Sequence, residues 1–170
     1  EPGMGISVGV LGLYSEFMKN ILEAIEKGAD SATFEALEIP ATYRAAVVLK
    51  SEQEMFAGVE SAKKDPRKSV HIQDVAVPQI APDEALIAVM ASSINFNTVW
   101  TSIFEPISTF GALARLARES SWAKRHDLDY HVMGSDASGV VLRVGSAVRN
   151  WKPGDKITVH CNHVDDQDPT

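Results

Sequence analysis

Few residues of this chain are of types that do chemistry, and each has an ordinary reading to be weighed against it. Cys161 is the only cysteine. It excludes an internal disulfide and a cysteine-rich zinc site. With no activating pattern beside it, it reads as a small buried hydrophobe rather than a nucleophile. His160 and His163 flank it, but residues three apart on a strand face opposite sides. These two and His131 therefore read as partly exposed histidines rather than metal ligands. Lys63, Lys64, Arg67 and Lys68 cluster around Pro66. Such a run can meet phosphates but is more often a solvated loop. Asp136 reads as a structural carboxylate that accepts backbone N–H bonds. Asn95 and Asn97 stand ahead of a helical pattern. Asn95 reads as holding its loop through backbone hydrogen bonds. An Asn amide donates a hydrogen bond without surrendering a proton, and Asn is also a common helix N-cap. Asn97 is open to both roles.

Composition bounds what such residues can serve. The 170 residues carry 16 Lys and Arg against 23 Asp and Glu, a net charge of −7. That balance argues against a nucleic-acid binder, which needs a basic face. No apolar run approaches the roughly 20 residues that span a bilayer. The length suits one domain, or one domain plus an arm, rather than a cofactor domain and a separate substrate domain together. A single cysteine fits a reducing, cytoplasmic setting. Gly3, Gly5 and Gly9 do not match the G-x-G-x-x-G spacing, and no strand precedes them to build a phosphate site. No Lys or Arg precedes the apolar stretch, as a secretory signal requires. Residues 1–17 are expected to be an appended leader, with Met18 as the natural start.

The elements that must position these residues can be laid out along the chain. Met18 to Lys27 carries Ile21, Leu22 and Ile25 on one face, an amphipathic helix with Gly28 as C-cap. Ser31 to Leu37 is a second helical piece. Strands are expected at Tyr43 to Lys50, Val70 to Val77, Ser138 to Val144 and Lys156 to Cys161. The apolar run Ala85 to Ala91 reads as a buried strand. Phe110, Leu113, Ala114, Leu116 and Ala117 recur at helical spacing, and Trp122 to Asp129 is a charged connector. Short strands with Gly, Pro and Asp at regular turns suggest an α+β fold. It would be a compact, partly open β barrel with an N-terminal helical arm (18–40) and a helical insertion near residues 97–120.

Three stretches carry a family resemblance. Gly134-Ser-Asp-Ala-Ser-Gly139, with Gly145 and Val148, resembles an element of the medium-chain dehydrogenase/reductases. Trp151-Lys-Pro-Gly-Asp155-Lys-Ile157 resembles the turn and strand that follow it there. Tyr43 to Leu49 and Val75 to Val89 look like that family's first strands. The resemblance implies a GroES-like barrel, the substrate-side catalytic domain, over residues 41–170 and incomplete. Ser93 to Phe110, Asp65 to Ser69, Lys124 to His131 and Val159 to Asn162 are similar to the crotonyl-CoA carboxylase/reductase group. That group reduces 2-enoyl-CoA thioesters with NADPH and adds CO2 to the α-carbon, giving alkylmalonyl-CoA. The similarity runs from about Met18 onward.

The resemblance assigns roles residue by residue. Zinc-dependent relatives place a Cys where Asn95 stands and a His-Glu pair at Ser135-Asp136. Asn and Ser are poor zinc ligands, so no metal is expected. Asn97 is the candidate catalytic residue, its neutral amide holding CO2 beside the enolate. Phe96, Trp100, Phe104 and Glu105 are candidate substrate-binding residues, the aromatics as a dry wall. NADPH is implied as cofactor, bound mainly by a domain beyond residue 170, and this piece alone is expected to be inactive. The partners implied are the enoyl-CoA, CO2, the rest of the same enzyme and sister subunits of a homotetramer, with no nucleic acid or membrane. A non-carboxylating enoyl or quinone reductase and a non-enzymatic GroES-like binding module remain as alternative readings.

Overall fold

The computed structural model describes residues 16–118 and 123–159. Residues 1–15, residues 119–122, and His160, Cys161, His163 and the acidic tail lie outside the described residues. The described chain divides into two compact units that interleave in sequence. The first gathers the residues up to Ala41, Ala76–Met90 and Ser138–Thr158; the second gathers Thr42–Val75, Ala91–Ala137 and Val159.

The first unit begins with α1 (Glu16–Lys27) and α2 (Ser31–Ala36). Helix α1 starts two residues ahead of the expected Met18. It ends where Gly28 takes a φ of 62°, and the amides of Gly28 and Ala29 return to Ile25 O and Ala24 O at 3.1 and 3.0 Å. A left-handed residue closing on the preceding turn in this way is a common helix stop. Asp30 caps α2 by accepting the Thr33 N–H at 2.9 Å.

Ile21 and Ala24 of α1 and Phe34 of α2 form one buried cluster with Val140 and Leu142. The last two belong to β5 (Ala137–Val144), the middle strand of a sheet ordered β3-β5-β6. Strand β3 is Ala85–Ala91 and β6 is Lys156–Val159. Arg143 ties α2 to β5, donating from Nη1 to Phe34 O at 2.8 Å and from Nη2 to Leu37 O.

One expectation fails in this unit. Strand β3 is not buried: Val89 is 59% and Met90 50% exposed. It lies at the edge of its sheet, and the core is drawn from the central β5, so an apolar run here did not mean burial on both faces. Its close pairing nonetheless dictates sequence. A Cβ on Gly139 would fall inside the contact radius of Ala88 O, and one on Gly145 inside that of Ala81 O and Pro82 O.

The second unit holds the sheet β2-β1-β4, with β1 at Thr42–Leu49, β2 at His71–Ala76 and β4 at Tyr130–Val132. Strand β1 runs antiparallel to β4, with Val47 opposite Val132 and Leu49 opposite Tyr130. Sequence patterning missed β4, because three residues directly after a charged connector carry too little alternation to signal a strand. Side chains alternate along β1. Ala45 and Val47 join Val75 in one cluster, while Val48 joins Phe56, Ile103, Phe104 and Phe110 in another.

The expected helical insertion is two helices, α3 (Phe96–Ser102) and α4 (Thr109–Leu116). Between them Phe104 takes a φ of 58°. This is a strained conformation for a bulky residue, held because the ring is buried between Phe56 and Phe110. The polar stretch after β1 is a string of short 3₁₀ turns rather than an open loop. No helix among the described residues is long and apolar enough to cross a membrane.

Gly145→Ala is expected to cost at least about 2 kcal/mol of stability, because backbone carbonyls cannot yield to the added carbon. Gly111→Ala, in α4 with nothing within 4 Å of the added carbon, should instead gain about 0.5–1 kcal/mol. Urea unfolding of the two variants beside the parent checks both signs.

Candidate functional site

The candidate residues converge on the chain around α3. The segment leaving β3 carries Ser92, Ser93 and Asn95, and the segment leading into β5 carries Gly134, Ser135 and Asp136. Asp136 joins them. Its Oδ1 accepts the Ser93 N–H at 2.9 Å and the Ser92 hydroxyl at 3.1 Å. Its Oδ2 accepts the Ser93 hydroxyl and, at 3.5 Å, the Asn95 Nδ2–H. These donors hold the carboxyl below its ordinary range, the Ser93 hydroxyl contributing most. The expected structural carboxylate is therefore present, with two hydroxyls added to the backbone donor.

Asn95 is the N-cap of α3. Its Oδ1 accepts the Thr98 N–H at 3.2 Å, and its own N–H reaches Thr98 Oγ1 at 3.5 Å, a reciprocal capping box. Its Nδ2 donates to Ser135 Oγ at 2.9 Å, and the Ser135 hydroxyl lies 3.2 Å from Oδ1. The cap reading that was open for Asn97 thus belongs to Asn95. Asn97 lies within the first turn of α3, exposed, with no hydrogen-bond partner among the described residues.

The other candidates separate into two groups. Phe96 and Trp100 stand one turn apart on α3, 78% and 45% exposed, with ring centroids 6.0 Å apart. They flank Asn97 as an apolar, uncovered pair. Phe104 does not join them; it is buried in the Phe56–Phe110 cluster. Glu105 is engaged by the stretch that follows β1. Its Oε1 lies 2.5 Å from Lys64 Nζ and accepts the Ser61 hydroxyl at 2.8 Å. Lys64 chiefly, with Ser61, holds the Glu105 carboxyl below its usual range.

The basic cluster is accordingly mostly paired. Lys63 meets Glu60 at 2.9 Å, Lys64 meets Glu105, and Arg67 meets Asp65 at 2.9 Å. A row of cations available to phosphates is not what this loop presents. Lys64 also stands 6.0 Å from the Phe56 ring centroid. His131 is partly buried in β4, and burial lowers its pKa, favouring the neutral ring.

The residues that sequence reasoning passed over are Ser92, Ser93 and Ser135, the hydroxyls that complete the Asp136–Asn95 network. Their signal was two pairs of short polar residues, one after β3 and one before β5. It becomes readable only once those segments are known to meet.

The donor set does not fit zinc. Asn95 and Ser135 offer an amide and a hydroxyl already bonded to each other, and Asp136 is saturated by neutral donors. Among the described residues no group of three or more His, Cys, Asp or Glu is placed to hold a metal.

Residues 81–170 match the family described as the alcohol dehydrogenase GroES-like domain. The chain belongs to that family. Crotonyl-CoA reductase of Streptomyces avermitilis is 58% identical over 149 residues, covering 87% of this chain and 34% of the relative. Crotonyl-CoA reductase of Streptomyces collinus is 56% identical over 153 residues, covering 89% and 34%. Among solved structures, apo 2-octenoyl-CoA carboxylase reductase CinF from a Streptomyces species matches with a TM-score of 0.81 at 52% identity. That match covers 88% of this chain and 35% of CinF. CinF is also known in complex with NADP and 2-octenoyl-CoA. These relatives bear out the resemblance to the crotonyl-CoA carboxylase/reductase group. This GroES-like chain spans about a third of the length of the relatives it matches.

The Glu105 carboxyl is depressed in the folded state, so its contribution to stability is present above the ordinary carboxylate range. That contribution is lost as pH falls through the lowered folded value. Glu105→Gln should therefore flatten the fall of stability between about pH 5 and pH 2. Chemical unfolding across that window measures the slope, and an unchanged slope would show that the Lys64 pair adds nothing.

Proposed function

We propose that this chain is the substrate-side part of an enzyme that reductively carboxylates 2-enoyl-CoA thioesters, using NADPH and CO2, to alkylmalonyl-CoA. The carrying observation is the likeness to CinF, at 52% identity over 88% of the chain, since CinF is known with NADP and 2-octenoyl-CoA bound. The exposed, unpaired amide of Asn97 beside the Phe96–Trp100 pair supports the same reading. NADPH, when bound, supplies the hydride for the β-carbon, and the described residues offer no Gly-rich strand-to-helix turn to hold it. In this reading it is held mainly outside this chain.

The chain's own residues act on the enolate that results. Its α-carbon either attacks CO2 or takes a proton. The Asn97 amide donates a hydrogen bond to a CO2 oxygen without surrendering its proton. Between Ala91 and Arg118 there is no Tyr, Cys or His to act as a competing acid. Phe96 and Trp100 form an apolar wall that keeps water from the carbanion. Phe104 acts from beneath, as core that fixes the end of α3, and Glu105 holds that end through Lys64.

The reading also carries a partly open barrel over residues 41–170 and an arm over 18–40. It further carries a zinc-free centre, a homotetrameric parent and a cytoplasmic setting.

The test uses the whole enzyme that contains this chain. Asn97→Leu should shift the product from the carboxylated toward the merely reduced thioester by at least tenfold, with NADPH oxidation retained. Product analysis by mass spectrometry, with and without bicarbonate, reads the ratio. An unchanged ratio would remove CO2 positioning from Asn97. No carboxylated product from the parent enzyme would make it a simple enoyl reductase.

A further inference from the structure

Helix α3 is held very differently at its two ends. Its C-terminal end is built into the core. Ser102 is buried and its carbonyl accepts the hydroxyl of buried Ser69, while Ile103 and Phe104 sit in the Phe56 cluster. Its N-terminal end has no such anchor among the described residues. Ile94 is 86% exposed, and Phe96 and Asn97 are also exposed. What fixes the first turn is polar: the Asn95–Thr98 capping box, and behind it Ser135 and Asp136.

Asp136 controls this arrangement in two ways. It fixes the path into the helix by accepting from Ser92, from the Ser93 N–H and from the Ser93 hydroxyl. It also sets which way the Asn95 amide points. A carboxylate only accepts, so the amide edge facing it must be the donor, Nδ2. That leaves Oδ1 to face the Thr98 N–H. Without the carboxylate the Thr98 N–H is left as the main group that opposes the turned amide, in which Nδ2 would face that donor and the cap would be lost.

We infer that Asp136 is a positioning residue for the carboxylation step. Through Ser93 and the Asn95 cap it fixes the first turn of α3, and so the place of the Asn97 amide. This inference rests on the role proposed for Asn97. An error of about 1 Å in a positioning group can cost about a hundredfold in rate. A CO2 molecule held by one hydrogen bond has little else to correct such an error. Reduction does not use Asn97, so the effect should fall on partition rather than on overall turnover.

The experiment compares Asp136→Asn, Asp136→Glu, Ser93→Ala and Asn97→Leu in the whole enzyme. It measures the ratio of carboxylated to reduced product and the CO2 concentration for half-maximal carboxylation. Asp136→Asn should lower the ratio about tenfold and raise that concentration, with NADPH oxidation falling by a smaller factor. Asp136→Glu, which keeps an acceptor-only group, should restore part of the ratio, and Ser93→Ala should lower it severalfold. Should Asp136→Asn not yield folded enzyme, Ser93→Ala and Asp136→Glu carry the test. If Asn97→Leu shifts the ratio but the Asp136 and Ser93 variants lose turnover at constant ratio, Asp136 is merely structural and the inference fails. If Asn97→Leu leaves the ratio unchanged, the role of Asn97 fails, and this inference with it.

Discussion

Hydrogen bonds to the carboxylate of Asp136 hold the chain around α3 in one arrangement. The carboxylate is partly exposed, yet it accepts from Ser92, twice from Ser93 and from Asn95. Several donors converging on one acceptor keep that acceptor ionised and restrict every group that contributes a donor. The restriction passes to Asn95, whose amide is used at both ends, and from there to Thr98 and the first turn of α3. A seven-residue helix has little stability of its own. Its cap and the core beneath its far end therefore decide whether it exists.

That far end depends on a second, mixed contact. Phe104 adopts a left-handed backbone that its side chain disfavours, and it does so because Phe56 and Phe110 enclose the ring. Glu105 comes immediately after it and is drawn to Lys64 and Ser61. The polar stretch after β1 thus wraps onto the α3–α4 junction by one ion pair, two hydroxyl bonds and one aromatic ring. Helix α3 is caught between an apolar anchor and a polar one. This leaves its exposed face, with Phe96, Asn97 and Trp100, without any structural duty that the described residues reveal.

Much of this was legible in the sequence. Helix α1, α2, five strands and the turns at Gly28 and Gly145 can be read from spacing and from turn residues. The exposure of β3 was not legible, because an apolar run does not say whether a strand lies at a sheet edge or in its middle. Strand β4 was too short to show alternation. The identity of the cap was ambiguous, since Asn95 and Asn97 both precede helical residues. Only the backbone shows that the helix starts at Phe96, putting Asn97 inside it. The pairing of Glu105 with Lys64, 41 positions apart by their numbers, has no local signal at all.

The two asparagines then explain one another. Both are neutral amides within the same few residues, but one is saturated and the other is free. A residue that caps a helix cannot also lend its carbonyl oxygen or its amide protons to a ligand without giving up the cap. Here the two positions are separate: Asn95 takes the structural load, and the Asn97 side chain carries none among the described residues. The zinc-dependent pattern would place strong metal ligands at Asn95 and at Ser135-Asp136. Here an amide, a hydroxyl and a carboxylate bind one another instead, so the groups at these positions already serve as one another's partners.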